Sequence, residues 1–372
     1  MAGSAPRIFI SAGEPSGDQH AARVAAALLR RWPEATIDAF GGPALKAAGA
    51  TIRFPMEEYT VIGFFEVLGK LPAHIRLYRA LVRDFRAGRY DLLIAVDYPG
   101  FNIRLAEAAR QAGVRSLYYI APQLWAWRPE RARRFAGATD RVAVILPFEP
   151  EFFGRVGVKA EFVGHPLVEH LPPHSNEARA RLGLSPDERV LAVFPGSRSQ
   201  EIARLWPEFR AAAERLLHDG ACDRVIVAGT PGREYPGSNG MLVHPGDGAT
   251  VLAAADAALV KSGTTTLEAA LADTPMVVAY RVHPVTAAIA RRLMTVPWIS
   301  LVNLVAGRPI VPEVVQGGAN RTALADLLRP LLDRNGAEAR AQHQALAEVR
   351  ARLGTPGAAE RVVALAEELL AA

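Results

Sequence analysis

The chain carries a single cysteine, Cys222. That excludes a disulfide framework and a cysteine-based zinc site. It also lacks any apolar run of roughly eighteen residues, the length a membrane-spanning helix needs. The opening MetAlaGlySerAlaProArgIlePheIle has neither a basic n-region nor a long apolar stretch before its first strand, so a cytoplasmic protein is the expectation. There is no Asp-x-Asp motif and no His/Glu cluster at ligand spacing, so neither a metal nor an organic cofactor is expected. No long basic tail, zinc-finger spacing or aromatic RNA-binding motif occurs, which argues against nucleic acid.

What is present is a long, apolar chain. Its 372 residues are 50% hydrophobic, too many for one ordinary core and enough for two α/β domains. The formal net charge is +5, and the basic residues are nearly all Arg. Small clusters stand at Arg131, Arg133 and Arg134, and at Arg291 and Arg292. They read either as solvated helix faces or as attraction to anionic lipid or substrate.

Short β-rich runs alternate with amphipathic helical stretches. Strands are expected at 7–10, 36–40, 91–96, 116–120 and 141–146, with helices at 18–31, 72–87 and 103–112 among them. After a Pro-rich connector at 171–177, strands resume at 189–194, 224–228, 241–243, 257–260 and 276–279. Helices are expected at 321–333, 337–353 and 357–371. Near-continuous apolar strands separated by helices mean parallel sheets covered on both faces. The fold expected is therefore α/β, with two Rossmann-like doubly wound domains facing a cleft. The domains are placed at 1–168 and 169–345, and 346–372 forms C-terminal helices that pack back on the first domain or on a partner chain.

Two strand–turn–helix junctions carry the strongest chemistry, at 189–198 and 257–270. Gly196 and Ser197, and Ser262, Gly263 and Thr264, form turns before helices whose free N–H groups suit a phosphate. Arg198 adds a cation able to fork onto a diphosphate, and Glu268 lies where it could accept from ribose hydroxyls. In SerAlaGlyGluProSerGlyAsp (11–18), Glu14 and Ser16 suit sugar hydroxyls, while Ser16 or Asp18 could simply cap the helix. Asp97, at the carboxyl end of a buried strand, is either a general base or the cap of a helix starting near 101, and Asn102 orients a substrate or caps likewise. Trp127 and Arg128, inside 122–131, suit sugar stacking and an anionic group, or form a packed aromatic loop. His165 sits at the domain boundary as a ligand contact or a hinge residue. The dense apolar stretch 61–71 is core or a surface for acyl chains.

Taken in order, these strings resemble the lipid-A-disaccharide synthase family, membrane-associated glycosyltransferases of GT-B architecture. The resemblance rests on SerAlaGlyGluProSerGlyAsp (11–18), GlyPhePheGluValLeu (63–68), AspTyrProGlyPheAsn (97–102), TrpAlaTrpArg (125–128), LeuProPheGlu (146–149), PheValGlyHisPro (162–166), PheProGlySerArg (194–198), SerGlyThrThrThrLeuGlu (262–268), ProMetValValAlaTyrArg (275–281) and SerLeuValAsnLeuValAlaGlyArg (300–308). It implies an inverting transfer from UDP-2,3-diacylglucosamine to the 6-hydroxyl of 2,3-diacylglucosamine 1-phosphate, giving a β-1,6-linked disaccharide and UDP. The first domain would bind acceptor and the second UDP-sugar. Asp97 matches the proposed catalytic aspartate and Arg198 the diphosphate arginine, with Glu14, Ser16, Glu268 and Asn303 at other polar active-site positions. Further implications are peripheral attachment to the cytoplasmic face of the inner membrane and a homodimer as one option. The rival readings are a peptidoglycan glucosaminyltransferase-like enzyme, a UDP-sugar 2-epimerase and a non-catalytic nucleotide-sugar binding protein.

Overall fold

The computed structural model describes residues 5–59, 64–126 and 130–372, with backbone alone over 64–70. The chain forms two compact units, Met1–Pro166 with Thr355–Ala372, and Leu167–Gly354. Unit 1 begins β1 (Arg7–Ala12), α1 (Pro15–Arg31), β2 (Thr36–Gly41), α2 (Pro43–Ala47), β3 (Thr51–Pro55) and α3 (Phe64–Arg86). It continues with β4 (Leu92–Val96), α4 (Pro99–Gln111), β5 (Arg115–Tyr119), α5 (Arg131–Ala138), β6 (Arg141–Val144), α6 (Glu149–Gly154) and β7 (Ala160–Phe162). Its seven strands are all parallel, in the order β3-β2-β1-β4-β5-β6-β7. Ile8, Phe9, Ile10, Leu92, Leu93 and Ile94 are fully buried. Helices cover both sheet faces, which is why these strands read as continuous apolar runs rather than alternating ones.

Unit 2 holds α7 (Ser175–Arg181), β8 (Val190–Phe194), α8 (Ser199–His218), β9 (Arg224–Gly229), β10 (Leu242–Pro245), α9 (Gly248–Ala254), β11 (Ala257–Lys261) and α10 (Thr265–Leu271). It closes with β12 (Met276–Tyr280), α11 (Pro284–Leu293), α12 (Leu301–Ala306), β13 (Glu313–Val315), α13 (Arg321–Leu328) and α14 (Ala337–Arg352). The parallel order is β10-β9-β8-β11-β12-β13. The last helix, α15 (Ala358–Ala371), belongs to unit 1. Its Val362, Leu365, Ala366 and Leu369 enter the core beside Val24 and Leu28 of α1. Arg30, Arg31 and Arg141 pair with Glu360, Glu367 and Glu368 along its rim.

Each sheet reverses its winding once, between β1 and β4 in unit 1 and between β8 and β11 in unit 2. Ala12 pairs with Val96 and Phe194 with Val260, so the turns leaving those strands emerge side by side. Such a switch point leaves an open crevice at the strand carboxyl ends.

Several expectations need correction. The short edge strands β3, β7 and β13 were not expected, because their residues are part-exposed and form no apolar run. The expected helix 321–333 ends at Leu328, since Pro330 lacks an N–H and the chain tightens into a 3-10 turn. The boundary at 345/346 would cut through α14, whose Gln342 accepts the Met276 N–H at 2.8 Å and holds that helix to unit 2.

Candidate functional site

At the unit 1 switch point the chain leaves β4 through two consecutive left-handed residues, Asp97 (φ 47°) and Tyr98 (φ 50°). Neither is glycine, so this backbone is strained by about 1–3 kcal/mol per residue. Surrounding bonds hold it. The Asp97 N–H donates to Tyr119 O at 3.0 Å, and the Asp97 carbonyl accepts from Tyr118 Oη at 2.6 Å and Asn102 Nδ2 at 2.8 Å. Asn102 is fully buried and also donates to the carbonyls of Ser11 and Val96, while its Oδ1 accepts from Ser11 Oγ at 2.6 Å. Its amide is saturated behind Asp97. It therefore positions that residue and does not cap α4, whose N-cap is Tyr98.

The Asp97 side chain is the group left over. No side chain among the described residues donates to its carboxylate, and Tyr98 rather than Asp97 is the N-cap of α4. Burial raises its pKa, the nearby Glu14 charge raises it further, and the Tyr98 N–H offsets part of this. Glu14 is the exposed N-cap of α1, and Ser16 is exposed in its first turn. Asp18 is buried instead of capping α1. It reaches across to α2 and accepts from Gly42 N–H at 2.7 Å and Ala44 N–H at 2.9 Å. Gly13 is required by contact, because a Cβ there would overlap the Tyr98 ring. Tyr98 Oη in turn meets His74 Nε2 at 2.9 Å, tying α3 to the two turns.

His165 is buried at 5% exposure, and desolvation with the neighbouring His20 lowers its pKa to about 4. It is neutral at physiological pH. Trp127 and Arg128 lie outside the described residues. The preceding loop is pinned by Trp125 Nε1 donating to Glu149 at 3.0 Å. Glu149 also accepts the N–H groups of Ile145 and Leu146, which ends β6 two residues before the expected position. Of the apolar stretch 61–71, residues 61–63 lie outside the described residues, 64–70 begin the backbone of α3, and Leu71 is 52% exposed.

In unit 2 the two turns after β8 and β11 are joined by an ion pair absent from the sequence expectation. Lys261 Nζ lies 3.2 Å from Glu201 Oε1, both largely shielded. Burial raises the Glu201 pKa, but the Lys261 charge and hydrogen bond outweigh it, and the net shift is downward. The pair fills the space beside both turn glycines. A Cβ on Gly196 (φ 108°) would sit 2.7 Å from Glu201 Oε2, and one on Gly263 (φ 154°) 3.3 Å from Lys261 Nζ. Arg198 is the N-cap of the twenty-residue α8, and its side chain is 82% exposed with only a 3.3 Å contact to Glu201. Ser197 is exposed beside it. Glu268 is part-buried, its carboxylate has no hydrogen-bond or ion partner among the described residues, and its pKa is raised by burial alone. Thr264 is exposed at the start of the seven-residue α10.

Two candidates in this unit are structural. The Ser262 hydroxyl donates to Ile299 O at 2.7 Å, bracing the segment before α12. Asn303 is fully buried. Its Nδ2 donates to Val311 O and to Glu313, and its Oδ1 accepts from Ile310 and Val311 N–H groups. Glu313 also accepts both N–H groups of Ile299 and Ser300. Only Asn303's partners, close in sequence yet defined by the fold, reveal this role.

Among the described residues no group of His, Cys, Asp or Glu could hold a metal ion, and no helix is long and apolar enough to cross a membrane. The family model for lipid-A-disaccharide synthetase matches residues 8–361. The lipid-A-disaccharide synthase of Azotobacter vinelandii is 42% identical, over 97% of this chain and 98% of that protein. The UDP-GlcNAc 2-epimerase structure from Neisseria meningitidis aligns with TM-score 0.64 at 9% identity, covering 97% of this chain and 99% of that one. The sucrose-phosphate synthase structure from Thermosynechococcus elongatus aligns with TM-score 0.61 at 16% identity, covering 98% and 99%. At such identities the two structures speak for the fold alone.

Proposed function

The chain belongs to the lipid-A-disaccharide synthase family of GT-B glycosyltransferases, and on that premise we propose that it joins UDP-2,3-diacylglucosamine to 2,3-diacylglucosamine 1-phosphate. The products are the β-1,6-linked disaccharide 1-phosphate and UDP. The observation that carries the reading is Asp97: a carboxylate with raised proton affinity and no side-chain donor, on a backbone held at both N–H and carbonyl.

The chemistry follows from these groups. Asp97 takes the proton of the acceptor 6-hydroxyl as that oxygen bonds to the donor's anomeric carbon. The bond from that carbon to the diphosphate breaks, and its electron pair leaves with UDP. One displacement inverts the anomeric centre and needs no second carboxylate as nucleophile. Arg198, exposed at the start of α8 and held only by its contact to Glu201, is suited to fork onto the diphosphate and take up the charge that develops there. The unpartnered Glu268 is suited to accept from ribose hydroxyls. With acylated substrates, the protein works as a peripheral protein on the cytoplasmic face of the inner membrane.

The test is incubation with both lipid substrates and mass analysis. Disaccharide 1-phosphate and UDP in equal amounts are expected. UDP-sugar isomerised without acceptor would favour an epimerase, and UDP binding without turnover a binding protein. Asp97→Asn keeps the shape but cannot take the proton. It should lower turnover by ~10²–10⁴ and leave UDP binding unchanged by calorimetry. Near wild-type turnover would remove Asp97 from the role.

A further inference from the structure

Glu14 and Asp97 stand on neighbouring turns, since Ala12 pairs with Val96. Their carboxylates repel, so some other contact has to set their spacing. The group between the two turns is the ring of Tyr98. A Cβ on Gly13 would overlap Tyr98 Cδ1 and lie 2.6 Å from Cε1, so the ring takes the space a side chain at 13 would need. Glu14 follows Gly13 in the chain, and Asp97 precedes Tyr98.

The ring is boxed in. Phe40 of β2, Phe101 of α4 and His74 of α3 surround it, at centroid distances of 6.3, 6.2 and 6.3 Å. The His74 ring stands edge-on to Tyr59 and Phe101 in turn. Its Nε2 lies 2.9 Å from the Tyr98 hydroxyl, a bond the ring would have to break to swing off Gly13. Tyr98 holds a left-handed backbone (φ 50°) at the N-cap of α4, yet its side chain makes no cap bond. Glycine or asparagine takes that backbone more readily. The bulky residue is explained by what its ring touches. Burial raises the pKa of both Asp97 and Tyr98, and the Glu14 charge raises each further, which places Glu14 within reach of both.

We propose that Tyr98 is a positioning residue for the transfer: its ring, seated on Gly13 and anchored through its hydroxyl to His74, fixes how close Glu14 comes to the Asp97 carboxylate. This role rests on the reading of Asp97 as the base. Tyr98 touches no reacting atom and acts through Glu14. A like charge held nearby disfavours the ionised form of Asp97, and a carboxylate with greater proton affinity takes the acceptor proton more readily. Other titratable groups stand around these turns. Tyr118 of β5 gives its hydroxyl to the Asp97 carbonyl, Asp18 of α1 serves α2, and His20 of α1 is edge-on to Tyr119. None of them is altered in Tyr98→Phe.

Tyr98→Phe keeps the ring and removes the hydroxyl. The acid limb of kcat/KM should move to lower pH, in the direction of Glu14→Gln and no further than it. With Glu14→Gln already present, Tyr98→Phe should move the limb no more, because the charge it held in place is gone. His74→Leu should repeat the Tyr98→Phe shift and add nothing to it, while His74→Gln, able to reach the same hydroxyl, should restore most of the wild-type limb. Loss of one hydrogen bond lowers melting by about 2–4 °C whether the bond positions Glu14 or only stabilises the fold, so the limb decides. A limb unmoved in Tyr98→Phe and in Gly13→Ala, which displaces the ring bodily, overturns the proposal. So does a limb moved equally with and without Glu14. Carbon-13 NMR of protein labelled at the aspartate carboxyls, with the Asp97 signal identified by its loss in Asp97→Asn, reads the same titration without turnover. A titration shifted by Tyr98→Phe while Asp97→Asn turns over normally would sink the base and leave the spacing standing. An unshifted titration with an inactive Asp97→Asn would do the reverse.

Discussion

Replacing Asn102 by aspartate exchanges one NH2 for an oxygen at the point that holds Asp97. In wild type, Asn102 Nδ2 serves three carbonyls, of Ser11 at 3.2 Å, Val96 at 3.1 Å and Asp97 at 2.8 Å. An ionised carboxylate would aim an oxygen at all three. The folded protein must therefore keep the new side chain protonated, and even then one O–H serves one carbonyl. Full burial can raise a carboxyl pKa by about 3–5 units. The folded pKa then exceeds the unfolded one, so the variant is most stable in acid and loses stability as pH rises from the unfolded value through the folded one. The loss relative to wild type is about 1.4 kcal/mol per pH unit in that window. By neutral pH this reaches about 4 kcal/mol, with about 2 kcal/mol more for the two carbonyls left unserved. The sum approaches the whole stability of a typical domain, about 5–15 kcal/mol. Asn102→Ala should lose about 2–3 kcal/mol at every pH. Urea unfolding of the three proteins across the acid-to-neutral range checks this. Asn102→Asp as stable as wild type at neutral pH, or offset from Asn102→Ala by a constant amount, would refute the hydrogen-bond assignment.

Glu14→Gln removes the second cause of the raised Asp97 pKa and leaves burial, so the acid limb of kcat/KM should move to lower pH without reaching that of a free aspartate; an unmoved limb would show that Glu14 does not act on the base. Arg198→Ala should weaken UDP more than uridine by calorimetry. Lys261→Gln, which releases the Glu201 carboxylate beside the same turns, should do likewise, and adding Glu201→Gln should recover part of the loss; equal effects on UDP and uridine would place neither cation at the diphosphate. Ending the chain at Gly354 uncovers the face of α1 on which Val362, Leu365 and Leu369 rest. At about 1.5–3 kcal/mol per buried side chain, unit 1 should melt far below wild type, and an unchanged first transition in calorimetry would contradict that packing.

The class of fold and the positions of the turns were legible because both depend on local pattern. Continuous apolar strands at 7–10, 91–96 and 257–260 mark parallel sheets covered on both sides, and the turns follow where those runs stop. The ordered strings from 11–18 to 300–308 indicated the family that the comparisons bear out. The strings also picked out Asn102 and Asn303 as polar positions of interest, but not the backbone groups that their amides hold. Whether a buried amide meets a substrate or holds a backbone depends on partners the pattern does not name: Ser11 and Asn102 are 91 residues apart. For the same reason the sequence offers Asp18, beside Ser16, as a cap for its own helix, when its carboxylate serves α2. Strand order belonged to the tertiary structure alone. Periodicity records which residues are buried along a strand and nothing about the strand beside it. Only the reversals between β1 and β4, and between β8 and β11, set Glu14 near Asp97 and Lys261 against Glu201. The sequence determined which groups were available, and the order of the strands decided which of them meet.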